Sequence, residues 1–170
     1  MPLIYHVEPL GSQHDRLAFS SGVAPLDQYF RERAGQDRRR DVASVFAPRV
    51  GDAPEVAGYY TLSAISIEPV SLPPALAKRL PRYPTLPAFL VGRLAVDRRY
   101  QGQGIGRRLL MSALGRSLEL RTQIGAIGVI VDAKDDAARA FYEHYDFQRF
   151  EDNPYRLILS MKTMEQLLGG

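Results

Sequence analysis

Gln101, Gly102, Gln103, Gly104, Ile105 and Gly106 follow an apolar run at 89–96 and lead into a leucine-rich stretch that opens with Arg107 and Arg108. Glycines at alternate positions just before a helix let a row of unpaired backbone N–H groups face outward, the arrangement that seats a phosphate or pyrophosphate. The spacing separates the nucleotides. A dinucleotide loop needs GxGxxG, and here the third glycine falls in the wrong place. A Walker-type loop needs lysine beside its last glycine, whereas the only lysines are Lys78, Lys134 and Lys162. What remains is QxxGxG.

The elements that must position this loop are legible from periodicity. The loop lies between a predicted strand at 89–96 and a predicted helix at 104–121, whose Ile105, Leu109, Leu110, Ala113 and Leu114 share one face. Ahead of them the pattern predicts a strand at 3–7, a helix at 25–34 with Pro25 in its first turn, and a hairpin of 44–47 with 56–67. Six prolines between Pro69 and Pro87 mark a long loop with one helical island at 75–80. Beyond the loop come an apolar strand at 126–131, a helix at 136–145 capped by Asp135, and a last hairpin of 147–150 with 155–161. A strand covered on both faces and a crossover connection are expected there.

At 170 residues, 45% hydrophobic and 24% charged, the chain is expected to form a single domain, 1–170. Zero cysteines exclude disulfides, thiolate metal sites and cysteine nucleophiles, and His6, His14 and His144 are too scattered for a metal site, so no metal is expected. No basic leader or run of 18 apolar residues occurs, so a cytoplasmic protein with no membrane partner is expected. The formal net charge is only +3, and nearly all the positive charge is arginine, whose planar fork suits phosphate. Arginine usage can equally reflect base composition of the genome.

QxxGxG at 101–106 resembles the acetyl-coenzyme A signature of the GNAT superfamily of N-acetyltransferases, and the run from Asp135 to Phe147 is similar to the superfamily's A..FY...GF helix end. Asp146 departs from that pattern by standing where glycine is usual. The resemblance implies an α/β (α+β) fold with a mixed central sheet of about six to seven strands flanked by helices, and coenzyme A bound at the splayed central strands. The order of the segments 19–30, Arg38-Arg39-Arg40, 58–64 and 92–97 is similar to the GNAT toxins of bacterial type II toxin–antitoxin modules. That similarity implies acetylation of the α-amino group of aminoacyl-tRNA, a block of translation, a cognate antitoxin of ribbon-helix-helix type, and a possible homodimer.

Acetyl transfer from a thioester needs a neutral amine, a donor for the oxyanion and a proton for the departing thiolate. Acetyl-CoA is the expected co-substrate. Its pyrophosphate is expected on the N–H groups of Gln103, Gly104, Ile105, Gly106 and Arg107, within the loop that begins at Gln101 and Gly102. Backbone groups of Leu94, Ala95 and Val96 are expected beside the pantetheine, one N–H serving the oxyanion. The resemblance makes Tyr142 the general acid, with Tyr145 as the alternative. No glutamate lies in 89–96, and an α-amine of pKa about 8 needs a strong base less than a lysine of about 10.4 does. Glu68, Asp97 or a water remain alternatives for that base. Arg93, Arg79 and Arg82 are the first candidates for tRNA phosphates, ahead of Arg31, Arg33 and 38–40. An acetyltransferase of small amines or protein N-termini is a competing reading, as is a non-catalytic ligand-sensing or nucleic-acid-binding domain.

Overall fold

The computed structural model describes residues 5–169, which divide into two compact units. The first comprises the residues up to Ser63 together with Arg93–Ala113, and the second comprises Ala64–Gly92 together with the residues from Leu114 onward. The strand expected at 3–7 lies partly outside the described residues. Among the described residues eight strands form, against about six to seven expected, and they mix parallel and antiparallel pairs among flanking helices. No helix of the described residues is long and apolar enough to cross a membrane.

In the first unit β1 (Tyr5–Pro9) pairs antiparallel with β2 (Ser44–Val50), and β2 with β3 (Gly58–Ile67). α1 (Ala24–Glu32) and α2 (Ala34–Arg39) cover an aromatic core. The Phe30 and Tyr59 rings stack with centroids 4.4 Å apart, and Phe19 meets both edgewise. Such pairs each contribute about 0.5–1.5 kcal/mol beyond the area they bury. The 25–34 helix of the sequence reading therefore stops early. Arg33 is its C-cap, and a second helix follows whose residues carry no apolar periodicity.

The expected strand at 89–96 is two strands, which corrects the sequence reading. β4 (Leu86–Val91) ends before Gly92, and β5 (Leu94–Val96) pairs antiparallel with β3 through Gly58↔Val96, Tyr59↔Ala95 and Tyr60↔Leu94. Gly58 is required for that approach. A Cβ there would stand 2.7 Å from the carbonyl oxygen of Ala95 and 3.0 Å from Leu109. At the start of β5 the Thr61 N–H donates to the Arg93 carbonyl and the Thr61 hydroxyl accepts from the Arg93 N–H, 3.0 and 3.1 Å. α4 (Ile105–Leu120) begins one residue from its expected start, with Ile105, Leu109, Leu110 and Ala113 buried.

In the second unit β4 runs parallel to β6 (Gly128–Asp132), and β6 pairs antiparallel with β8 (Arg156–Ser160), which pairs with β7 (Gln148–Arg149). The proline-rich segment holds a 3-10 turn at Pro69–Ser71 and the short α3 (Pro74–Ala77). Leu72, Leu86, Ala88, Ile130, Phe150 and Ile158 form the core. Met161, expected to end the last strand, instead opens α6 (Met161–Leu167), where the Ser160 hydroxyl accepts from the Thr163 N–H.

α5 (Asp136–His144) is fixed at both ends. Asp135 caps its start by accepting from the Ala138 N–H at 2.8 Å. At its end the Phe147 N–H reaches the Tyr142 carbonyl and the Asp146 N–H reaches that of Glu143, which is a Schellman closure. Asp146 carries the left-handed conformation this demands, φ 70°. Replacing Asp146 with glycine removes the Cβ strain, so Asp146→Gly is expected to raise stability by about 1 kcal/mol, read as a higher urea midpoint with unchanged slope.

Candidate functional site

Asp97 follows β5 directly and is 1% exposed. Its carboxylate accepts from the Ser20 N–H at 3.0 Å, from the Arg99 N–H and Nε at 2.9 Å each, and from Arg99 Nη2 at 3.1 Å. Burial pushes the carboxyl up, but the Arg99 bonds and the backbone donors outweigh it and hold it below the usual carboxylate range. A carboxylate so occupied cannot collect a proton from an amine, so Asp97 is a brace and not the general base that its place beside the loop allowed. Arg99 reaches on to Glu55, which also accepts from the Tyr100 hydroxyl. Burial and that bond raise the phenol to about 12.

Gln101 is turned inward. Its side-chain amide donates to the Ser21 and Val96 carbonyls, 3.0 Å each, which ties the loop to the end of β5 and to the segment before α1. Arg98 adds two bonds to Ser20, from its N–H at 2.8 Å and from Nη2 at 2.7 Å. Sequence reading found Gln101 by motif but not the direction of its side chain, and missed Ser20 and Glu55, whose contacts across 40 to 80 residues leave no local pattern, and Arg99, whose bonds to Asp97 depend on side-chain direction.

What these ties hold out is the loop backbone. From Gln101 through Gly102, Gln103, Gly104, Ile105 and Gly106 to Arg107, no backbone N–H donates to another described residue. Gly102 and Gly104 take φ +81° and +79°, the left-handed conformation that alternates with right-handed residues where N–H groups gather into an anion-binding nest. Arg107 is exposed and has no ion-pair partner among the described residues. Arg108 lies 5.9 Å from the Tyr5 ring centre, and the Tyr5 hydroxyl donates to the Gln103 side chain at 3.1 Å. With the positive end of α4 behind it, this row suits a doubly charged diphosphate. Gly104→Ala forces a left-handed alanine at a cost of about 1–2 kcal/mol. The KM for acetyl-CoA is expected to rise severalfold with kcat little changed, as measured by steady-state kinetics.

β5 exposes a second row. Thr61 bonds Arg93 and the Asp97 N–H bonds the Ala57 carbonyl at 2.9 Å, so alternation turns Ala95 toward β3 and leaves Leu94 and Val96 facing the other way. β5 has no partner strand besides β3 among the described residues. Ala95 was expected to share in the backbone row, and its ladder position points its polar groups to Tyr59. Arg93 lies with its guanidinium carbon 3.6 Å over the Tyr29 ring, and the Tyr29 hydroxyl donates to Asp37 at 2.8 Å. Burial and the Asp37 bond raise that phenol to about 12. The guanidinium N–H groups of Arg93 make no hydrogen bond among the described residues, so the stack fixes the plane and leaves the fork free. Arg31, by contrast, is spent on the Phe19 carbonyl at 2.8 Å.

In the second unit Tyr142 is 5% exposed, its ring against Phe141 and Phe147 with centroids 5.3 and 5.6 Å away. Its hydroxyl makes no hydrogen bond among the described residues. Burial and then the Asp132 charge raise its pKa far above the usual phenol value, so it stays protonated through neutral pH. Tyr145 is half-buried against Phe141 and His144. Arg79 lines a cavity of about 470 Å³ with Glu143, Asp146 and Phe147 from the end of α5. Arg82 and Tyr83 are exposed outside that cavity, and Glu68 lines a separate one with Ser71 and Asp152.

Against known proteins, a family model described as the acetyltransferase (GNAT) domain matches residues 57–149. A curated relative named tRNA-acetylating toxin, from Mycobacterium tuberculosis (strain ATCC 25618 / H37Rv), is 37% identical over 156 residues, which is 91% of this chain and 91% of the relative. The solved structure of AtaT complexed with acetyl-methionyl-tRNAfMet is 27% identical, with a TM-score of 0.88 over 97% of this chain and 99% of that one. That of AtaTR bound with AcCoA is 27% identical, with a TM-score of 0.84 over 96% and 98%.

Proposed function

The chain belongs to the GNAT acetyltransferase family, and from that premise we propose that it is a toxin that uses acetyl-CoA to acetylate the α-amino group of aminoacyl-tRNA and so blocks translation. The observation that carries the donor assignment is the row of backbone N–H groups from Gln101 to Arg107, none of which donates to another described residue, about the left-handed Gly102 and Gly104. The likeness to a tRNA-acetylating toxin supports the acceptor.

Acetyl-CoA supplies the thioester carbonyl and the thiolate that leaves. The N–H groups from Gly102 to Gly106 and the Arg107 guanidinium bind its diphosphate. The outward N–H groups of Leu94 and Val96 and the Leu94 carbonyl run beside the pantetheine, and one of those N–H groups receives the charge that develops on the carbonyl oxygen as the amine lone pair attacks. Tyr142 gives its proton to sulfur as the carbon–sulfur bond breaks and regains one from solvent. The proton displaced from the amine also goes to water, which an α-amine of pKa about 8 releases without a protein base. Arg93, held flat on Tyr29, and Arg79 and Arg82 bind phosphates of the tRNA.

Purified protein incubated with labelled acetyl-CoA and total charged tRNA is expected to place label on the aminoacyl group. Label on polyamines or peptide N-termini with none on tRNA overturns the acceptor assignment and leaves acetyl transfer standing. A cytoplasmic protein, an antitoxin partner of ribbon-helix-helix type and a homodimer belong to the same proposal. The mass of the protein alone, and after coexpression with the product of an adjoining reading frame, checks both.

A further inference from the structure

The first unit also holds a cavity rimmed by arginines that the steps of acetyl transfer do not use. A cavity of about 360 Å³ is lined by Gly11, Ser12, Arg16, Gly35, Arg38 and Arg39, with Leu10 and His14 at its wall. Three arginines line one small volume, and none of them forms an ion pair or side-chain hydrogen bond among the described residues. The nearby carboxylates are engaged elsewhere: Glu8 holds Arg49 and His14, Asp15 accepts from the Leu17 N–H, and Asp37 accepts from Tyr29. Arg16 is laid across the backbone of α2, since a Cβ on Gly35 would stand 2.8 Å from its Nη1. Glycine inside a helix costs about 1 kcal/mol against alanine. Here its bare backbone leaves room for the guanidinium.

We propose that this cavity binds one phosphate group, gripped by Arg16, Arg38 and Arg39 with the Ser12 hydroxyl as a further donor, and that the phosphate belongs to the backbone of the RNA substrate. The source of the phosphate rests on the function proposed above. Three cations lining one cavity without a counter-ion among the described residues repel one another, and a phosphate oxyanion relieves that repulsion while its oxygens match the forked donors. The location supports a polymer. Asp37, whose carboxylate steadies the tyrosine under Arg93, immediately precedes Arg38, so one short helix connects the cavity to the candidate acceptor-binding arginine.

The test measures binding of deacylated tRNA by fluorescence anisotropy as salt is raised, for the wild type, for Arg38→Gln/Arg39→Gln, and for the charge-matched control Lys134→Gln/Lys162→Gln. The arginine variant is expected to bind about tenfold more weakly, with the slope of log affinity against log salt shallower by about 0.7–0.9 for the lost phosphate contact. The control is expected to keep both. Gly35→Ala, which changes no charge but displaces Arg16, is expected to weaken binding in the same direction, while the KM for acetyl-CoA stays unchanged in every variant. Slopes and affinities that match the charge-matched control overturn the site. Inorganic phosphate that displaces tRNA from the wild type better than chloride at equal ionic strength supports it; equal displacement overturns it. Acetylation of charged tRNA by the wild type is followed in parallel. Acetylation with an unaltered slope in the arginine variant removes this site and leaves the function, whereas an altered slope without acetylation removes the function and leaves an RNA-phosphate site.

Discussion

Tyr142→Phe is expected to lower kcat for acetyl transfer by about 10²- to 10⁴-fold, the usual worth of a positioned acid, while the protein folds and binds acetyl-CoA as before. The separation follows from how the side chain is held. The ring supplies the packing against Phe141 and Phe147, and phenylalanine keeps it. The hydroxyl has no hydrogen-bond partner among the described residues, so removing it orphans nothing and costs little stability. A tyrosine kept only as a core aromatic predicts the opposite result, with kcat unchanged. Because burial and the Asp132 charge both raise the phenol's pKa, Tyr142 stays protonated as pH rises through the range where the acceptor amine loses its proton. Activity is therefore expected to climb through pH 7 to 8 and then level off, with no fall from loss of the acid in that range. Tyr145→Phe, measured beside it, separates the two tyrosines: a large drop there and none in Tyr142→Phe moves the acid by three residues.

The position of Tyr142 also shows how far a sequence carries a site. Asp135 as N-cap and Asp146 at the closing position of the helix are local, and each is found where the residues put it. The glycine loop is legible for the same reason, since backbone conformation at Gly102 and Gly104 is a property of those residues alone. Elements without such signals are lost. α2 has glycine and five polar or small residues and no apolar stripe, and α6 begins on the residue after β8 with no intervening turn to announce it. The break between β4 and β5 is invisible because Thr61, 32 residues away, is what captures the Arg93 N–H. Side-chain direction is the deepest loss. The side chain of Gln101 is a tie to Ser21 and Val96 while its backbone N–H stays in the loop row, and Asp97, one alternative for the base, is the centre of a clasp.

That clasp yields the second large effect. Asp97→Ala is expected to destabilise the protein by about 3 kcal/mol, the lower part of the range for breaking a buried ion pair, because Arg99 is partly exposed and recovers some hydration. The Ser20 N–H loses its partner too, and with it the connection between the segment before α1 and the loop. Function is expected to fail at the donor. Arg99 and Tyr100 are held through Asp97 and Glu55, and the backbone that follows them carries the free N–H row, so the KM for acetyl-CoA is expected to rise more than tenfold, with kcat falling less. A change confined to stability overturns the positioning role. The sign with pH is fixed by the direction of the shift. Asp97 ionises more readily folded than unfolded, so its contribution is fully present above the ordinary carboxylate range and is lost as pH falls through its lowered folded value. In urea titrations the wild type should therefore lose stability on acidification more steeply than Asp97→Ala, and the gap between them should close as the carboxylate takes its proton. Asp97→Asn, which keeps the shape but not the charge, is expected to lie between the two at neutral pH, since its amide oxygen can still accept from Ser20 while its amide nitrogen faces the Arg99 donors.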